Sequence, residues 1–170
     1  MNKQAKTQNR VFVALGSNID PERNLKGAVR LLASRCRLLA VSRVYEAKPV
    51  GKTDQPNFLN AAALIETELG AAALKAQVLQ DIERVLGRVR TADKNAPRTI
   101  DLDITLFNDQ VIELGHRHIP DPELLRYPHI AVPMADLAPG YVHPESGQTL
   151  QEIAENTSLV GLEPRPDIDL

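Results

Sequence analysis

Apolar and polar side chains alternate strictly between Thr99 and Leu106. One parity carries Ile100, Leu102, Ile104 and Leu106, and the other carries Thr99, Asp101, Asp103 and Thr105. Successive side chains of a strand point to opposite faces of a sheet. The pattern therefore predicts a half-buried β-strand over 99–107 that presents two carboxylates on its polar face.

Shorter patterns predict the rest of a sheet. The apolar run 11–15 ends at Gly16 and is typical of a strand buried on both faces. Segments 38–45 and 58–67 are predicted strands, and the loop 48–57 between them holds two prolines and a glycine. A short strand over 110–112 is expected to pair across a turn at Asn108 and Asp109.

Helical periodicity marks two longer segments. The first, over 21–35, follows Asp20 and has a proline at its first position; its apolar face is Leu25, Ala28, Val29 and Leu32. The second begins after Gly70 and ends at Gly87; its apolar face is Leu74, Val78, Ile82 and Val85. Prolines beyond Ile119 predict only short elements, the last a helix over 150–156.

The order of these elements is strand, helix, strand, strand, helix, strand. This order predicts an α+β, ferredoxin-like fold, in which helices pack on an antiparallel sheet. We expect residues 1–170 to form a single domain, with residues 1–9 and 157–170 flexible.

Composition narrows the class of protein. Hydrophobic residues make up 43% and charged residues 25%, and the net charge is −2. These values are typical of a soluble globular protein and argue against bulk nucleic-acid binding. Cys36 is the single cysteine, which excludes an intramolecular disulfide, and the sequence shows no membrane span or signal peptide. We expect a cytoplasmic monomer with no nucleic-acid or membrane partner.

The carboxylate pair Asp101 and Asp103 is the first candidate for chemistry. On a strand, residues two apart lie roughly 6–7 Å apart on the same face. Two carboxylates at that spacing suit Mg²⁺, which prefers oxygen ligands. An ordinary solvated strand face is the alternative interpretation.

Basic residues concentrate just before this strand and favour the metal site. They are Arg88, Arg90, Lys94 and Arg98. Arginine binds phosphate oxygens through two parallel N–H groups, so a basic loop beside a magnesium site predicts phosphoryl transfer. A surface loop that binds nothing is the alternative for the loop alone. A metal-dependent nuclease needs an extended basic face, which the charge distribution does not suggest.

Four ordered segments together carry a more specific signal. They are ALGSN at 14–18, DQPNFLNAA at 54–62, GRVR at 87–90 and PRTIDLDI at 97–104. Over about 11–153 the chain resembles the 6-hydroxymethyl-7,8-dihydropterin pyrophosphokinases of folate biosynthesis. The resemblance implies a ferredoxin-like fold and transfer of pyrophosphate from ATP to the hydroxymethyl group of a reduced pterin, with release of AMP.

The resemblance also implies a set of site residues. Asp101 and Asp103 are expected to hold two Mg²⁺ ions when ATP is bound, and to form the catalytic set with Arg90 and Arg98. The expected ATP-binding residues are Gln80, Glu83, Arg88, Arg90, Lys94, Arg98 and Ile104. The expected pterin-binding residues are Pro49, Val50, Gly51, Phe58, Asn60 and His129.

The chain departs from the family pattern at several positions near these residues. Asn95 stands where many members have tryptophan, Lys94 replaces an arginine, and Asp121 replaces a common histidine. Tyr127 replaces a usual arginine, and His129 replaces a phenylalanine that closes over the pterin. We expect His129 to take over the stacking role. These changes keep open a second hypothesis, a non-catalytic binder of pterin or nucleotide with the same fold.

Overall fold

The central strands of the molecule are β1 (Asn9–Ser17) and β4 (Phe58–Thr67), which pair antiparallel in a computed structural model that describes residues 6–170. β5 (Asp101–Phe107) pairs with the other edge of β1. β2 (Arg37–Val41) and β3 (Tyr45–Ala47) both pair with β4. With β2 and β3 counted as one interrupted strand, the sheet has the antiparallel ferredoxin-like order, and the predicted fold class is confirmed.

Two helical segments cover one face of the sheet. α1 (Pro21–Arg35) has the predicted bounds. The second segment is continuous and has three parts: α2 (Ala71–Leu74), a π-helical turn over Lys75–Leu79, and α3 (Gln80–Val85). Their apolar side chains pack on alternate residues of the central strands, such as Val11, Val13 and Leu15. This packing forms the larger hydrophobic core.

The opposite face is covered only in part. A 3₁₀ turn (Pro122–Leu125), α4 (Pro128–Leu137) and α5 (Leu150–Asn156) pack there on Phe12, Leu64 and Leu106. The predicted helix over 150–156 is confirmed. The other residues of this face, towards the end of β1 at Ser17, are small or polar and form the floor of the candidate site.

The proline-rich region holds a longer helix than the prediction allowed. In α4, Pro128 occupies the first turn, where a missing N–H costs nothing. Pro133 lies inside the helix and cannot donate to the carbonyl group of His129. The helix forms because Ile130, Ala131 and Met134 are buried against the second core, which offsets the missing bond.

Two strand predictions were wrong in detail. Segment 38–45 is two strands, because the regular pairing is interrupted at Ser42. Its backbone N–H still donates to the carbonyl group of Ala62 at 2.9 Å, but its side-chain hydroxyl takes the place of a backbone acceptor and accepts from the N–H of Ala62 at 2.8 Å. The predicted partner strand at 110–112 is instead β6 (Ile112–Leu114), which pairs with β7 (Arg117–Ile119) in a separate hairpin. The hairpin forms because Gly115 adopts a positive φ of 61° at its turn.

The C-terminal segment is ordered, contrary to the prediction for 157–170. β8 (Leu162–Pro164) pairs with β3, and Ile168 is buried in the larger core. Arg165 bonds Glu46 at 2.7 Å through Nη1. The segment is ordered because the edge of β3 has unpaired backbone groups with which β8 pairs. The acidic, proline-containing composition of residues 157–170 does not predict this pairing. At the other terminus, residues 1–5 lie outside the described residues and Asn9 already begins β1.

No helix among residues 6–170 is both long and apolar enough to cross a membrane.

Candidate active site

The register of the sheet brings the predicted substrate and metal residues onto one face. Asn60 pairs with Gly16, and Gly16 pairs with Asp101, so the three form one row across the sheet. The next row contains Asp103, opposite Ala14. Because directly opposed residues share a face, the amide of Asn60 and both carboxylates lie on the face that α4 covers further along.

Two arginines hold Asp101. Arg88 Nη1 donates to its Oδ1 at 2.6 Å, and Arg98 Nη1 donates to its Oδ2 at 3.0 Å. Burial opposes ionisation of this carboxyl, but the charges and hydrogen bonds of Arg88 and then Arg98 prevail and lower its pKa below the ordinary value. Asp101 is therefore an anion at neutral pH.

Asp103 lies in a different environment. Its Oδ1 atom is buried and has no aligned hydrogen bond within the described part of the chain. Burial, followed by repulsion from Asp101, raises the pKa of Asp103 to about 7. An oxygen atom in this position fits a divalent cation, because a cation offsets both the lost hydration and the repulsion between the two carboxylates.

The two aspartates do not enclose a metal ion by themselves. Within residues 6–170, no group of three or more His, Cys, Asp or Glu residues is placed to hold one. Mg²⁺ commonly binds through one or two carboxylates and completes its six ligands with water and substrate phosphate oxygens. The residues present therefore fit magnesium that is held jointly with a phosphorylated substrate.

The buried carboxylate of Glu83 fixes the positions of Arg88 and Arg90. Its side chain is 3% exposed. It accepts hydrogen bonds from Arg88 Nη1 at 2.8 Å, from Arg90 Nη2 at 2.6 Å and from the backbone N–H of Leu102 at 3.0 Å. The α3 helix thus fixes two guanidinium groups relative to β5. Contact between Glu83 and a nucleotide stays a prediction.

Arg98 connects three parts of the site. Its Nη2 donates to the carbonyl group of Lys94 at 2.6 Å, while Nη1 bonds Asp101. The guanidinium carbon also lies 5.7 Å from the ring centroid of Phe58, within the range of a cation–π contact. The basic loop, the carboxylate pair and a candidate pterin-binding ring therefore share one side chain.

Three predicted ATP-binding residues do not contact the carboxylate pair Asp101 and Asp103 through their side chains. The side chains of Gln80 and Lys94 are exposed, and neither pairs with Asp101 or Asp103 in the described chain. The side chain of Ile104 is 5% exposed and packs in the larger core, on the opposite face from Asp103. A nucleotide could contact Ile104 only through its backbone, because β5 is an edge strand of the sheet.

The loop that carries Pro49, Val50 and Gly51 contacts the basic loop. Gly51 has a φ of 84°, and a Cβ atom there would lie 3.0 Å from Asn95 Nδ2. Gln55 Nε2 donates to the carbonyl group of Asn95 at 2.7 Å, and Asn18 Nδ2 donates to Gln55 Oε1 at 2.8 Å. Neither Asn18 nor Gln55 was a predicted site residue, although they lie in the family-like segments 14–18 and 54–62.

Comparison with known proteins agrees with this geometry. The model of the 7,8-dihydro-6-hydroxymethylpterin-pyrophosphokinase (HPPK) family matches residues 12–139. A 2-amino-4-hydroxy-6-hydroxymethyldihydropteridine pyrophosphokinase of Pseudomonas aeruginosa is 38% identical over 160 residues, which are 92% of this chain and 97% of the relative. The Bacillus subtilis protein of that name is 41% identical over 132 residues, 76% of this chain and 78% of the relative. The chain belongs to the HPPK family.

Some relatives of this chain are much longer proteins. The folic acid synthesis protein fol1 of Schizosaccharomyces pombe is 36% identical over 166 residues, which are 95% of this chain and 22% of that protein. A crystal structure of Plasmodium falciparum HPPK-DHPS superposes with a TM-score of 0.73 at 16% identity. It matches 90% of this chain, which spans about half of the solved chain (46%). This likeness supports the HPPK fold.

His129 shows how the protein accommodates one departure from the family pattern. Its ring stacks on Tyr127, with centroids 5.3 Å apart and planes inclined by 27°. Burial lowers the pKa of His129 to about 4, so the imidazole is neutral at physiological pH. A neutral flat ring suits the predicted stacking role.

Asp121 is a second departure from the family pattern, and it has a structural role. Its side chain caps the 3₁₀ turn by accepting from Glu123 N–H at 2.9 Å.

Acid is expected to destabilise the fold through His129. The folded-state pKa is lowered from its ordinary value of 6.5, so the unfolded state binds the proton more tightly. Stability should be full above about pH 6.5 and should fall as the pH approaches 4, by about 2–3 kcal/mol at most. In urea denaturation at pH 7.5 and pH 5, the His129→Phe variant should lose less stability than the natural protein. Equal losses in the two proteins would contradict the prediction that protonation of His129 destabilises the fold in acid.

Proposed function

We propose that this protein transfers pyrophosphate from ATP to the hydroxymethyl group of 6-hydroxymethyl-7,8-dihydropterin and releases AMP, a step of folate biosynthesis. The observation that carries the proposal is the placement of Asp101, Asp103 and their arginines on the face that also presents Asn60. A phosphate-binding set and a heterocycle-binding set therefore meet at one end of the sheet. Family membership supports the same reaction.

Asp101 and Asp103 are proposed to hold Mg²⁺, two ions when ATP is present. Magnesium held by these two residues would neutralise phosphate charge and orient the phosphate chain. Asp101 is oriented for this role by its two arginines, and Asp103 leaves one carboxylate oxygen free of hydrogen bonds. The protein supplies this fixed arrangement before the substrate arrives, which limits reorganisation during the reaction.

The arginines are proposed to bind the triphosphate. Arg88 is 11% exposed and bonds Glu83, Asp101 and the carbonyl group of Ile100, so its position is fixed. Arg90 is 60% exposed and uses one nitrogen for Glu83, which leaves donors for phosphate oxygens. Arg98 is anchored through the carbonyl group of Lys94 and Asp101. We propose Arg90 and Arg98 as catalytic residues because they stabilise charge that develops as AMP leaves.

The pterin is proposed to bind between Phe58, Asn60, His129 and the loop that carries Pro49, Val50 and Gly51. The Asn60 amide is buried, and its two intramolecular contacts are long, 3.4 and 3.5 Å, so a better partner gains energy there. The hydroxymethyl oxygen then forms a bond to the β-phosphorus and loses its proton to water, while the bond from that phosphorus to the α,β-bridging oxygen breaks and AMP leaves. Positioning and electrostatics suffice for this displacement, and no protein nucleophile is required.

The closest test is the identity of the nucleotide product. With Mg²⁺, ATP and 6-hydroxymethyl-7,8-dihydropterin, AMP should appear in step with the pterin pyrophosphate. Formation of ADP instead would show a monophosphate kinase, and pterin binding without AMP would show the non-catalytic binder. Omitting the pterin is the control for contaminating ATP hydrolysis. The chain is further proposed to act as a single domain, as a monomer and in the cytoplasm.

A further inference from the structure

Arg117 reaches the metal site from an element that no predicted site residue belongs to. It lies on β7, in the hairpin that is separate from the main sheet. Its Nη1 atom is 2.8 Å from Asp103 Oδ1, yet the contact is not aligned as a hydrogen bond. The Arg117 side chain is 41% exposed and that of Asp103 is 19% exposed. The guanidinium therefore contacts the carboxylate while keeping access to solvent.

Lys75 lies near the same oxygen atom and belongs to the second helical segment. Its Nζ atom lies 3.7 Å from Asp103 Oδ1, and it is the first residue of the π-helical turn. π-Helical turns place an additional residue in a helix and occur often at functional sites. Two cations thus converge on one oxygen atom of Asp103.

The charge of Asp103 is offset in a different way from that of Asp101. Asp101 has aligned hydrogen bonds from Arg88 and Arg98, and Glu83 in turn fixes Arg88. Among residues 6–170, Arg117 and Lys75 are the cations that pair with Asp103, and neither forms an aligned hydrogen bond with its Oδ1. Contacts of this kind are weaker and cost less to give up than charge-assisted hydrogen bonds.

We propose that Arg117, assisted by Lys75, is a displaceable counter-ion of Asp103. It neutralises the carboxylate in the nucleotide-free protein and gives up Oδ1 when the divalent cation binds. Arg117 is then a positioning residue that sets how tightly the empty protein binds metal. The proposal rests on the assignment of Asp103 as a metal ligand in the proposed function.

Anchoring of the hairpin supports this role for Arg117. The neighbouring His118 contacts Glu113 on β6 through Nδ1 and Glu145 through Nε2, the latter at 2.7 Å. These contacts anchor β7 at the residue next to Arg117. The Arg117 head group can therefore leave Asp103 by side-chain rotation, while its backbone stays fixed.

Binding of Mn²⁺ to the nucleotide-free protein, followed by electron paramagnetic resonance, tests the proposal without measuring turnover. Arg117→Gln is expected to tighten Mn²⁺ binding about five- to tenfold, the lower end of the effect of removing a charge a few ångströms away at a site open to water. Arg117→Lys retains the charge and should stay within about twofold of the natural protein. Arg37→Gln is the matched control, because Arg37 also pairs with a carboxylate on a strand, Glu66 at 3.1 Å.

Unchanged or weaker Mn²⁺ binding by Arg117→Gln would overturn the proposal, since a residue that merely supports Asp103 would weaken metal binding when removed. If that variant does not fold, Lys75→Gln replaces it, with an expected tightening of about two- to threefold. Asp103→Asn separates this proposal from the proposed function. Retention of full Mn²⁺ binding by Asp103→Asn would reject the metal assignment itself, whatever Arg117→Gln does.

Discussion

Asp103→Asn is expected to lower kcat about a thousandfold or more while the protein stays folded. Asparagine retains the shape of the side chain but loses the charge that holds a cation on this face. The fold should persist because Oδ1 of Asp103 makes no aligned hydrogen bond within the described residues. The substitution also removes a buried charge and its repulsion with Asp101, which are, in that order, the causes that raise the pKa of Asp103.

Two measurements separate this expectation from a general loss of structure. kcat is measured at saturating Mg²⁺ and ATP, and the thermal midpoint is measured in EDTA, where it should match or exceed that of the natural protein. Asp109→Asn is the control, because Asp109 is an exposed aspartate just after the same strand. Activity of Asp103→Asn within tenfold of the natural protein would refute the role of the carboxylate pair.

The sequence predicted best those features that depend on a single strand or helix. The alternation over 99–107 predicted both the strand and the shared face of Asp101 and Asp103, because side-chain direction in a regular strand follows a period of two. It was wrong for Leu106, which it placed with Ile104, since a shift in register between β1 and β5 turns Leu106 towards the second core. Helix α1 was predicted with the right bounds because its start signal and its apolar face agree. Local rules suffice for such features.

Features that depend on tertiary contacts were missed. Helix α4 contains Pro133 and forms through burial against the second core, and β8 forms because β3 offers it an edge. Arg117 meets Asp103 only because the β6–β7 hairpin folds over that end of the sheet. Neither the edge nor the hairpin placement can be obtained from the spacing of residues along the chain.

Glu83 lies between these cases. The resemblance assigned it to the nucleotide, whereas the structure places it beneath Arg88 and Arg90. A signal was present, because Glu83 follows Leu79 by four residues and so lies on a buried stripe of the second helical segment. A carboxylate on such a stripe requires buried partners, and the nearby arginines are the cations that supply them.

Glu83→Gln is accordingly expected to damage both stability and catalysis. Glutamine can still accept from the N–H of Leu102, but it no longer offsets the charges of Arg88 and Arg90. Breaking a buried ion pair by removing one partner costs about 3–5 kcal/mol. Because Arg88 keeps Asp101 and Arg90 is largely exposed, we expect a loss of about 2 kcal/mol in the free energy of unfolding.

The catalytic effect should exceed what this destabilisation explains. With Glu83 neutral, Arg88 is held by Asp101 and the carbonyl group of Ile100, and Arg90 loses its anchor, so kcat/KM for ATP should fall about a hundredfold through lost positioning. Urea denaturation and steady-state kinetics are compared with those of Glu66→Gln, a control that breaks the Arg37 pair and should change stability by less than about 0.5 kcal/mol. A destabilised Glu83→Gln protein with unchanged kcat/KM, measured where it is fully folded, would mean that the arginines bind phosphate without this support. A hundredfold loss under the same conditions would make Glu83 the residue that converts two separate cations into one preformed phosphate site.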